Sequence, residues 1–120
     1  MKIYVSHSRD FDFENELYKP LRASNLNDAH EFFLPHEEGR SVNTQDEIKN
    51  SNLVLAEVSF PSTGQGIELG WANMLKVPIL CVSKEGSKVS GSLKYLTQDF
   101  VVYSDAADLV SKLDAFLSSR

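Results

Sequence analysis

The fold of this chain is decided by residues 53–72, which read LVLAEVSFPSTGQGIELGWA. The stretch opens with an apolar run, Leu53 to Ala56, that is short, partly β-branched and bounded by Asn52 and Pro61. Such a run is typical of a buried strand. A turn rich in Ser, Thr and Gly follows, and then a helical pattern from about Gly66 to Lys76. The sequence therefore predicts a strand, a loop and a helix in that order.

The predicted loop has the composition of a ligand-binding turn. In an open α/β sheet, ligands bind in the crevice at the carboxyl ends of the strands, where this loop would lie. Gly64 and Gly66 would let backbone approach a ligand, because they lack Cβ and tolerate positive φ. Ser62 and Thr63 can cap the helix and offer hydroxyls. The unpaired N–H groups of a helix start also suit a phosphate.

Glu68 places a carboxylate on a largely apolar helix face. At helical spacing it shares that face with Ala72 and Leu75. A buried, unpaired charge is costly, so Glu68 would need hydrogen-bond partners or a raised pKa. The alternative is that it lies at the edge of the apolar stripe, where the helix dipole favours an acid. The spacing leaves both interpretations open.

The remaining elements alternate between strand and helix. Strands are predicted at Lys2 to Ser6, His30 to Leu34, Val77 to Val82 and Phe100 to Tyr103. A first helix is predicted at Phe13 to Leu21, interrupted near Lys19 by Pro20, and a second from Asn43 or Thr44 to Ser51. A helical turn is predicted at Leu93 to Leu96. A last helix is predicted after Asp105, with an apolar stripe from Leu109 to Leu117. This order predicts a flavodoxin-like, doubly wound, five-stranded parallel sheet with helices on both faces. The segments 4–10, 35–40 and 59–68 should then converge.

Length and composition indicate one ordinary globular domain. The chain has 120 residues, 42% hydrophobic and 24% charged, and a formal net charge of −5, which argues against a nucleic-acid polymer as partner. Its single cysteine, Cys81, lies in an apolar run and is expected to be a buried strand residue. No signal peptide or membrane-spanning run is evident, so we expect no membrane partner and a cytoplasmic location.

The central segment also carries a family resemblance. The pattern EVSxPSxGxGxELGxA, residues 57–72, is similar to the signature of the nucleoside 2-deoxyribosyltransferase family, nearest to its 2'-deoxynucleoside 5'-phosphate N-hydrolases. The chain start, IYVSHS at residues 3–8, resembles that family's first strand and loop, and PILC at 78–81 resembles its fourth strand. The resemblance implies that residues 1–120 form a single domain of this kind. It also implies a nucleoside or nucleotide substrate, a homodimer and no cofactor.

The resemblance assigns roles to individual residues. It implies that Glu68 is the nucleophile that attacks the anomeric carbon and that Tyr4 orients it. It implies that Ser8 and Ser62 bind a 5'-phosphate, and that Ser90 or Ser92 reaches the phosphate of a neighbouring subunit. The hydroxyl of Ser6 adds to the same polar patch.

Two departures from the family pattern bear on catalysis. The family has an Asp in the helix before the central strand, and that position falls at about Thr44, with Asp46 two residues later. Asp46 could serve as a catalytic residue only if the local register differs. The loop after the first strand carries Asp10 and Asp12 beside Arg9, and these acids should weaken phosphate binding.

Other candidate residues have simpler interpretations. His7 could bind phosphate or move protons, but a lone loop histidine is more often a polar surface residue. His30 and His36, with Glu31, Glu37 and Glu38, match no metal-ligand spacing, so no metal is expected and a solvated acidic loop is favoured. Glu57 is interpreted as structural, Trp71 as core packing, and Phe60 as core packing or a stacking surface for a base.

The sequence is compatible with three functions. The first is cleavage or transfer of the N-glycosidic bond of a deoxynucleoside or its 5'-monophosphate, through a carboxylate nucleophile. The second follows from residues 3–10, which also resemble the opening of Toll/interleukin-receptor domains, some of which cleave nicotinamide dinucleotides. The third is a nucleotide-binding sensor without turnover.

Overall fold

Five parallel strands form one sheet. The computed structural model describes residues 1–37 and 43–120. Its strands are β1 (Lys2–His7), β2 (Glu31–Phe33), β3 (Leu53–Glu57), β4 (Ile79–Lys84) and β5 (Phe100–Tyr103). They lie in the order β2-β1-β3-β4-β5, and every neighbouring pair is parallel. This is the flavodoxin-like order, so the predicted fold class is confirmed.

Helices cover both faces of the sheet. They are α1 (Lys19–Ala23), α2 (Leu26–Ala29), α3 (Thr44–Lys49), α4 (Thr63–Met74) and α5 (Ala106–Ser118), together with a π-helical segment (Glu14–Tyr18) and a 3₁₀ segment (Gly91–Tyr95). Alternate residues of each strand point to opposite faces. One core therefore joins β1 residues Ile3 and Val5 to α1, α2 and α5, and a second core joins Tyr4 to α3 and α4.

Helix α4 begins three residues earlier than predicted. Ser62 is its N-cap, and the Ser62 hydroxyl accepts a hydrogen bond from the Gln65 N–H at 3.3 Å. Gly64 and Gly66 consequently lie in the first turns of the helix and not in a loop, and neither has positive φ. Gly64, predicted in the loop before the helix, is therefore part of the helix itself. What the two glycines provide is a bare helix surface, because a Cβ at either position would meet no atom within 4 Å.

The end of α4 explains why β4 starts later than predicted. The helix closes in a Schellman arrangement, in which Val77 N–H donates to the Ala72 carbonyl and Lys76 N–H to the Asn73 carbonyl. Lys76 takes the left-handed conformation, with φ of 59°. Val77 is therefore still part of the helix cap, and the strand begins only at Ile79.

Pro20 does not end the first helix. The π-helical segment runs directly into α1, and Pro20 is the second residue of α1. The irregularity predicted near Lys19 is instead the change from π to α geometry. The loop predicted at residues 35–42 lies partly outside the described residues. The segment 35–40, which was expected to converge with segments 4–10 and 59–68, also lies partly outside them.

The strand order creates a crevice between β1 and β3. The two strands are adjacent, but the chain leaves β1 toward β2 on one side and leaves β3 toward β4 on the other. Such a switch point separates the following loops and opens a binding crevice at the carboxyl ends. Within the described residues, no helix is both long and apolar enough to cross a lipid bilayer.

Candidate active site

The Glu68 carboxylate lies at this crevice and is held by two side chains of β1. The Tyr4 hydroxyl donates to Oε2 at 2.6 Å, and the Ser6 hydroxyl donates to Oε1 at 2.8 Å. Tyr4 and Ser6 are two residues apart on one strand, so both point to the face that α4 covers. The expected proximity of Tyr4 to Glu68 is therefore present, and both carboxylate oxygens are fixed in direction.

Burial and hydrogen bonding act in opposite directions on Glu68. Burial raises the pKa of its carboxyl, while the hydrogen bonds from Tyr4 and Ser6 lower it. Tyr4 is completely buried, and its own pKa is raised by burial and by the adjacent Glu68. The tyrosine therefore stays protonated and remains a hydrogen-bond donor to the carboxylate. Of the two sequence interpretations of Glu68, the structure supports the one with buried partners.

A cavity of about 360 Å³, here called the Glu68 cavity, opens in front of this carboxylate. It lies between the loop after β1, the loop after β2 and the start of α4. The sequence-predicted site residues on its wall are His7, Ser8, Ser62, Gly64 and Glu68. The Ser8 hydroxyl accepts from the Asp10 N–H at 3.1 Å, which leaves its own proton free to donate.

Two predicted site residues line a different hollow. Gly66 and Ser92 belong to a second cavity of about 300 Å³, the apolar cavity, on the other side of the α4 start. Its wall is mainly apolar and includes Leu69 and Leu93. Ser62 lines both cavities. Within one chain, the structure therefore does not bring Ser92 to the Glu68 cavity.

Helix α3 presents Thr44, and not Asp46, to the site. The Asn43 side chain caps α3 by accepting the Asp46 N–H at 3.2 Å, and Asp46 itself is exposed. The Thr44 side chain is close enough to Tyr4 to lower the pKa of that tyrosine. Thr44, and not the exposed Asp46, is therefore the α3 side chain beside Tyr4.

Gln65 is a site residue that sequence reasoning missed. Its side-chain N–H₂ donates to the Ser6 carbonyl at 3.1 Å and to the Glu57 carbonyl at 2.8 Å. It thereby ties the ends of β1 and β3 together beneath the crevice, and it is 5% exposed. Its position three residues before Glu68 on the same helix was the available signal, because residues i and i+3 share a helix face.

His7 is buried, which corrects the expectation of a surface residue. It is 6% exposed and packs among aromatic rings, including Phe13 at 4.6 Å and Tyr18 at 5.2 Å between ring centroids. Burial lowers the pKa of His7 to about 4, against the opposing effect of its bond to the Ser8 carbonyl. The imidazole is therefore neutral at physiological pH.

His36 lies at the mouth of the Glu68 cavity, although its sequence suggested only a solvated loop. The residue is partly exposed to solvent, and its ring stands 5.3 Å from the His7 ring. Burial and the charge of Arg9 lower the pKa of His36. Arg9 is exposed on the same wall and is its single cationic side chain among the described residues. Polar groups of both signs thus surround the opening, because Asp10 also lines it.

The remaining candidates are occupied by internal contacts. The buried Glu57 carboxylate accepts from Ser59 N–H at 2.6 Å, from the Ser59 hydroxyl at 2.9 Å and from the Tyr103 hydroxyl. Phe60 stacks on Phe11 with ring centroids 5.2 Å apart. Trp71 packs against the core beneath α4. In the part of the chain that the structure describes, no three His, Cys, Asp or Glu side chains are grouped so that they could hold a metal ion.

Comparisons with known proteins find similar proteins whose names match the group that the motif resembles. No family model matches the chain. A protein of Thermofilum pendens named as a 2'-deoxynucleoside 5'-phosphate N-hydrolase is 28% identical over 75 residues, and the match spans 58% of this chain but only 52% of that protein's length.

Solved structures share the fold over nearly the whole chain. The CMP N-glycosidase of Clostridium botulinum has a TM-score of 0.69 at 19% identity, with 95% of this chain and 99% of that chain covered. A 2-deoxyribosyltransferase of Bacillus psychrosaccharolyticus has a TM-score of 0.62 at 23% identity, covering 92% and 90%. At these identities the likeness establishes a common architecture, that of N-glycosidases and deoxyribosyltransferases.

Proposed function

We propose that this chain cleaves or transfers the N-glycosidic bond of a deoxynucleoside or of its 5'-monophosphate. The observation that carries the proposal is the Glu68 carboxylate, whose two oxygens are held by Tyr4 and Ser6 at the wall of an open cavity. The sequence motif and the names of the similar proteins agree with this activity. A cytoplasmic location, where nucleotides are made and consumed, fits the same proposal.

The geometry suits nucleophilic catalysis by Glu68. As the base departs with the electron pair of the C1'–N bond, positive charge develops on C1', and a carboxylate oxygen can bond to that carbon. The base takes up a proton as it leaves. Water then attacks C1' and releases the glutamate with loss of a proton, which completes hydrolysis; a second base in place of water completes transfer. Tyr4 and Ser6 stay in place and direct the attacking oxygen.

Binding of a 5'-phosphate is supported by the start of α4. The first turn of this twelve-residue helix carries no acidic residue, and Gly64, on the cavity wall, leaves the backbone of that turn uncovered. Helix N-termini favour anions for this reason. The hydroxyls of Ser8 and Ser62 and the Arg9 guanidinium line the same space, with Asp10 as an opposing charge.

A homodimer would give Ser92 a place in the site. One side of α4 carries Ile67, which is 51% exposed, and Met74, which is 81% exposed, and between them lies Trp71, which is half-buried because it also packs against the core. These residues are spaced i, i+4 and i+7 and form one apolar stripe. We propose that this stripe packs against a second copy, so that Ser92 serves the neighbour's cavity. A monomeric mass in solution would contradict this part of the proposal.

A specific observation favours a second candidate function, binding of a nucleotide without turnover. Thr44 stands where the resembled family has a carboxylate, so no acid on α3 is placed near the Tyr4 hydroxyl to handle protons. Saturable binding of a nucleotide with no product after long incubation would support this alternative.

The deciding experiment measures release of free base. Purified chain and its Glu68→Gln variant are incubated with deoxynucleosides, their 5'-monophosphates and a nicotinamide dinucleotide, and products are separated by chromatography. We expect base release from a deoxynucleotide by the unmodified chain and loss of at least about 1000-fold in the variant, as for other nucleophile substitutions. Asp46→Asn is the matched carboxylate-to-amide change and should retain activity, because Asp46 is exposed.

Three results would contradict the proposal. Absence of free base from the whole panel would refute glycosidic cleavage for those substrates. Full activity in Glu68→Gln would refute the role of the carboxylate. Release of nicotinamide alone would indicate the dinucleotide hydrolase suggested by residues 3–10.

A further inference from the structure

Two buried side chains link the loops on either side of the Glu68 cavity. His7 Nδ1 lies 2.7 Å from the Ser8 carbonyl oxygen, and His7 Nε2 lies 2.6 Å from the Tyr18 hydroxyl. The same hydroxyl accepts a hydrogen bond from the His36 N–H at 3.0 Å. His7 ends β1, Tyr18 ends the π-helical segment, and His36 follows β2, so the series crosses three separate parts of the chain.

The chemistry of these groups permits one consistent arrangement of hydrogens. A carbonyl oxygen can only accept, so the proton of the neutral His7 ring is on Nδ1 and is donated to Ser8. Nε2 must then accept from the Tyr18 hydroxyl. The Tyr18 oxygen retains a lone pair for the His36 N–H. Every hydrogen bond in the series is satisfied, and both ring nitrogens of His7 are occupied.

The linked segments form the wall that faces α4 across the cavity. Ser8 and Arg9 follow His7 in the first loop, and His36 carries its ring to the cavity mouth from the second. Among the described residues, the His36 backbone N–H is the group through which Tyr18 holds this second loop. Tyr18 is therefore one support of this wall. The Arg22 guanidinium holds the same loop one residue further on, through bonds of 2.7 and 3.0 Å to the Glu37 carboxylate.

We propose that His7 and Tyr18 are positioning residues, which hold the two loops at the spacing that substrate binding requires. The pair acts on affinity and not on bond cleavage, because the Glu68 carboxylate is held by Tyr4 and Ser6 and neither ring nitrogen of His7 is free to exchange a proton with a ligand. This inference rests on the proposed function, since it names the residues that set the shape of the same site.

The test removes only the linking hydroxyl. Tyr18→Phe keeps the ring in the core, while Tyr103→Phe, the control, removes another buried hydroxyl, one that bonds to Glu57 away from the cavity. Loss of the Tyr18 hydroxyl should raise KM for a deoxynucleoside 5'-monophosphate about 3- to 10-fold with kcat within about twofold. Tyr103→Phe should leave both constants unchanged. A fall in kcat with unchanged KM, or equal effects in the two variants, would overturn the proposal.

Two further measurements separate this inference from the proposed function. Nitrogen-15 NMR spectra of the His7 ring at pH 7 should show a protonated Nδ1 and an unprotonated Nε2. The Nε2 chemical shift should change in Tyr18→Phe. Observation of the opposite tautomer would refute the linkage whether or not the chain is an enzyme. The dissociation constant for the same nucleotide should be 3- to 10-fold higher in the double variant Glu68→Gln/Tyr18→Phe than in Glu68→Gln alone, by about the factor expected for KM. An unchanged constant would refute the role in affinity even if turnover were never observed.

Discussion

Replacing Tyr4 by phenylalanine removes one hydrogen bond from the Glu68 carboxylate and changes little else. The ring stays in a completely buried position, stacked 5.6 Å from Phe33. The lost bond is 2.6 Å long and has a charged acceptor, so its net contribution is about 1.5–3 kcal/mol. If this hydrogen bond has the same strength in the ground state and in the transition state, its loss lowers the stability of the variant and leaves kcat unchanged. If the bond directs the attacking oxygen, its loss lowers kcat. We expect a fall of about 10- to 100-fold, at about 1.4 kcal/mol for each factor of ten.

The pH dependence distinguishes these outcomes. The hydrogen bond from Tyr4 lowers the pKa of Glu68, so its removal raises that pKa further above the unfolded value. A nucleophile must be ionised, and the acidic limb of kcat/KM should therefore move to higher pH in Tyr4→Phe. Ser6→Ala removes the other donor and should move the limb in the same direction. Rates measured between about pH 4 and 8 test both variants, since an unperturbed Glu titrates near 4.3.

The stability of the same variants has a definite sign with pH. Because burial raises the pKa of Glu68 in the folded chain, ionising it favours the unfolded chain, and stability is lost as pH rises from the unfolded pKa through the folded one. In Tyr4→Phe this loss should extend to higher pH, as measured by urea unfolding. Two results together would refute the assignment of Tyr4 as the residue that orients Glu68. The acidic limb of kcat/KM would stay fixed or move to lower pH, and the substitution would change the free energy of unfolding by the same amount at every pH.

Three other substitutions give independent tests. Gly64→Ala should raise the free energy of unfolding by about 0.5–1 kcal/mol in thermal unfolding, since the added Cβ meets no atom of the protein. The same Cβ should obstruct the cavity and weaken nucleotide binding in calorimetry, and tighter binding would contradict this role of Gly64. Lys76→Gly should relieve the left-handed strain by about 1 kcal/mol and raise Tm by about 3–6 °C, and an unchanged Tm would show that no strain is stored there. Thr44→Asp should increase base release, because it adds a carboxylate near the Tyr4 hydroxyl; a slower rate would indicate that charge repulsion with Glu68 outweighs proton transfer.

The sheet and its order could be predicted because local patterns were sufficient. The run from Leu53 to Ala56 needs no distant information to be identified as a buried strand, and alternation of strands and helices restricts the topology. The contact between Tyr4 and Glu68 was suggested by a family resemblance, and the structure brings these residues together across 64 positions in sequence.

Other parts of the site depended on tertiary packing. His7 is buried because Phe13 and Tyr18 fold back over the end of β1, which no pattern within its own loop indicates. Gln65 looks like an ordinary helix residue until two strand ends are placed beneath its amide. The start of α4 was misplaced because two glycines in its first turns reduce helix propensity, and the Ser62 cap overrode that preference.

The bonds that join Tyr4 and Ser6 to Glu68 also have a kinetic consequence. Tyr4 and Ser6 come from β1, and the carboxylate that they hold follows more than sixty residues later in the chain. A nascent or partly refolded chain with its strands paired but α4 undocked would lack any competent carboxylate. Recovery of turnover after dilution from denaturant would therefore report the docking of that helix, separately from the earlier return of sheet signal in circular dichroism.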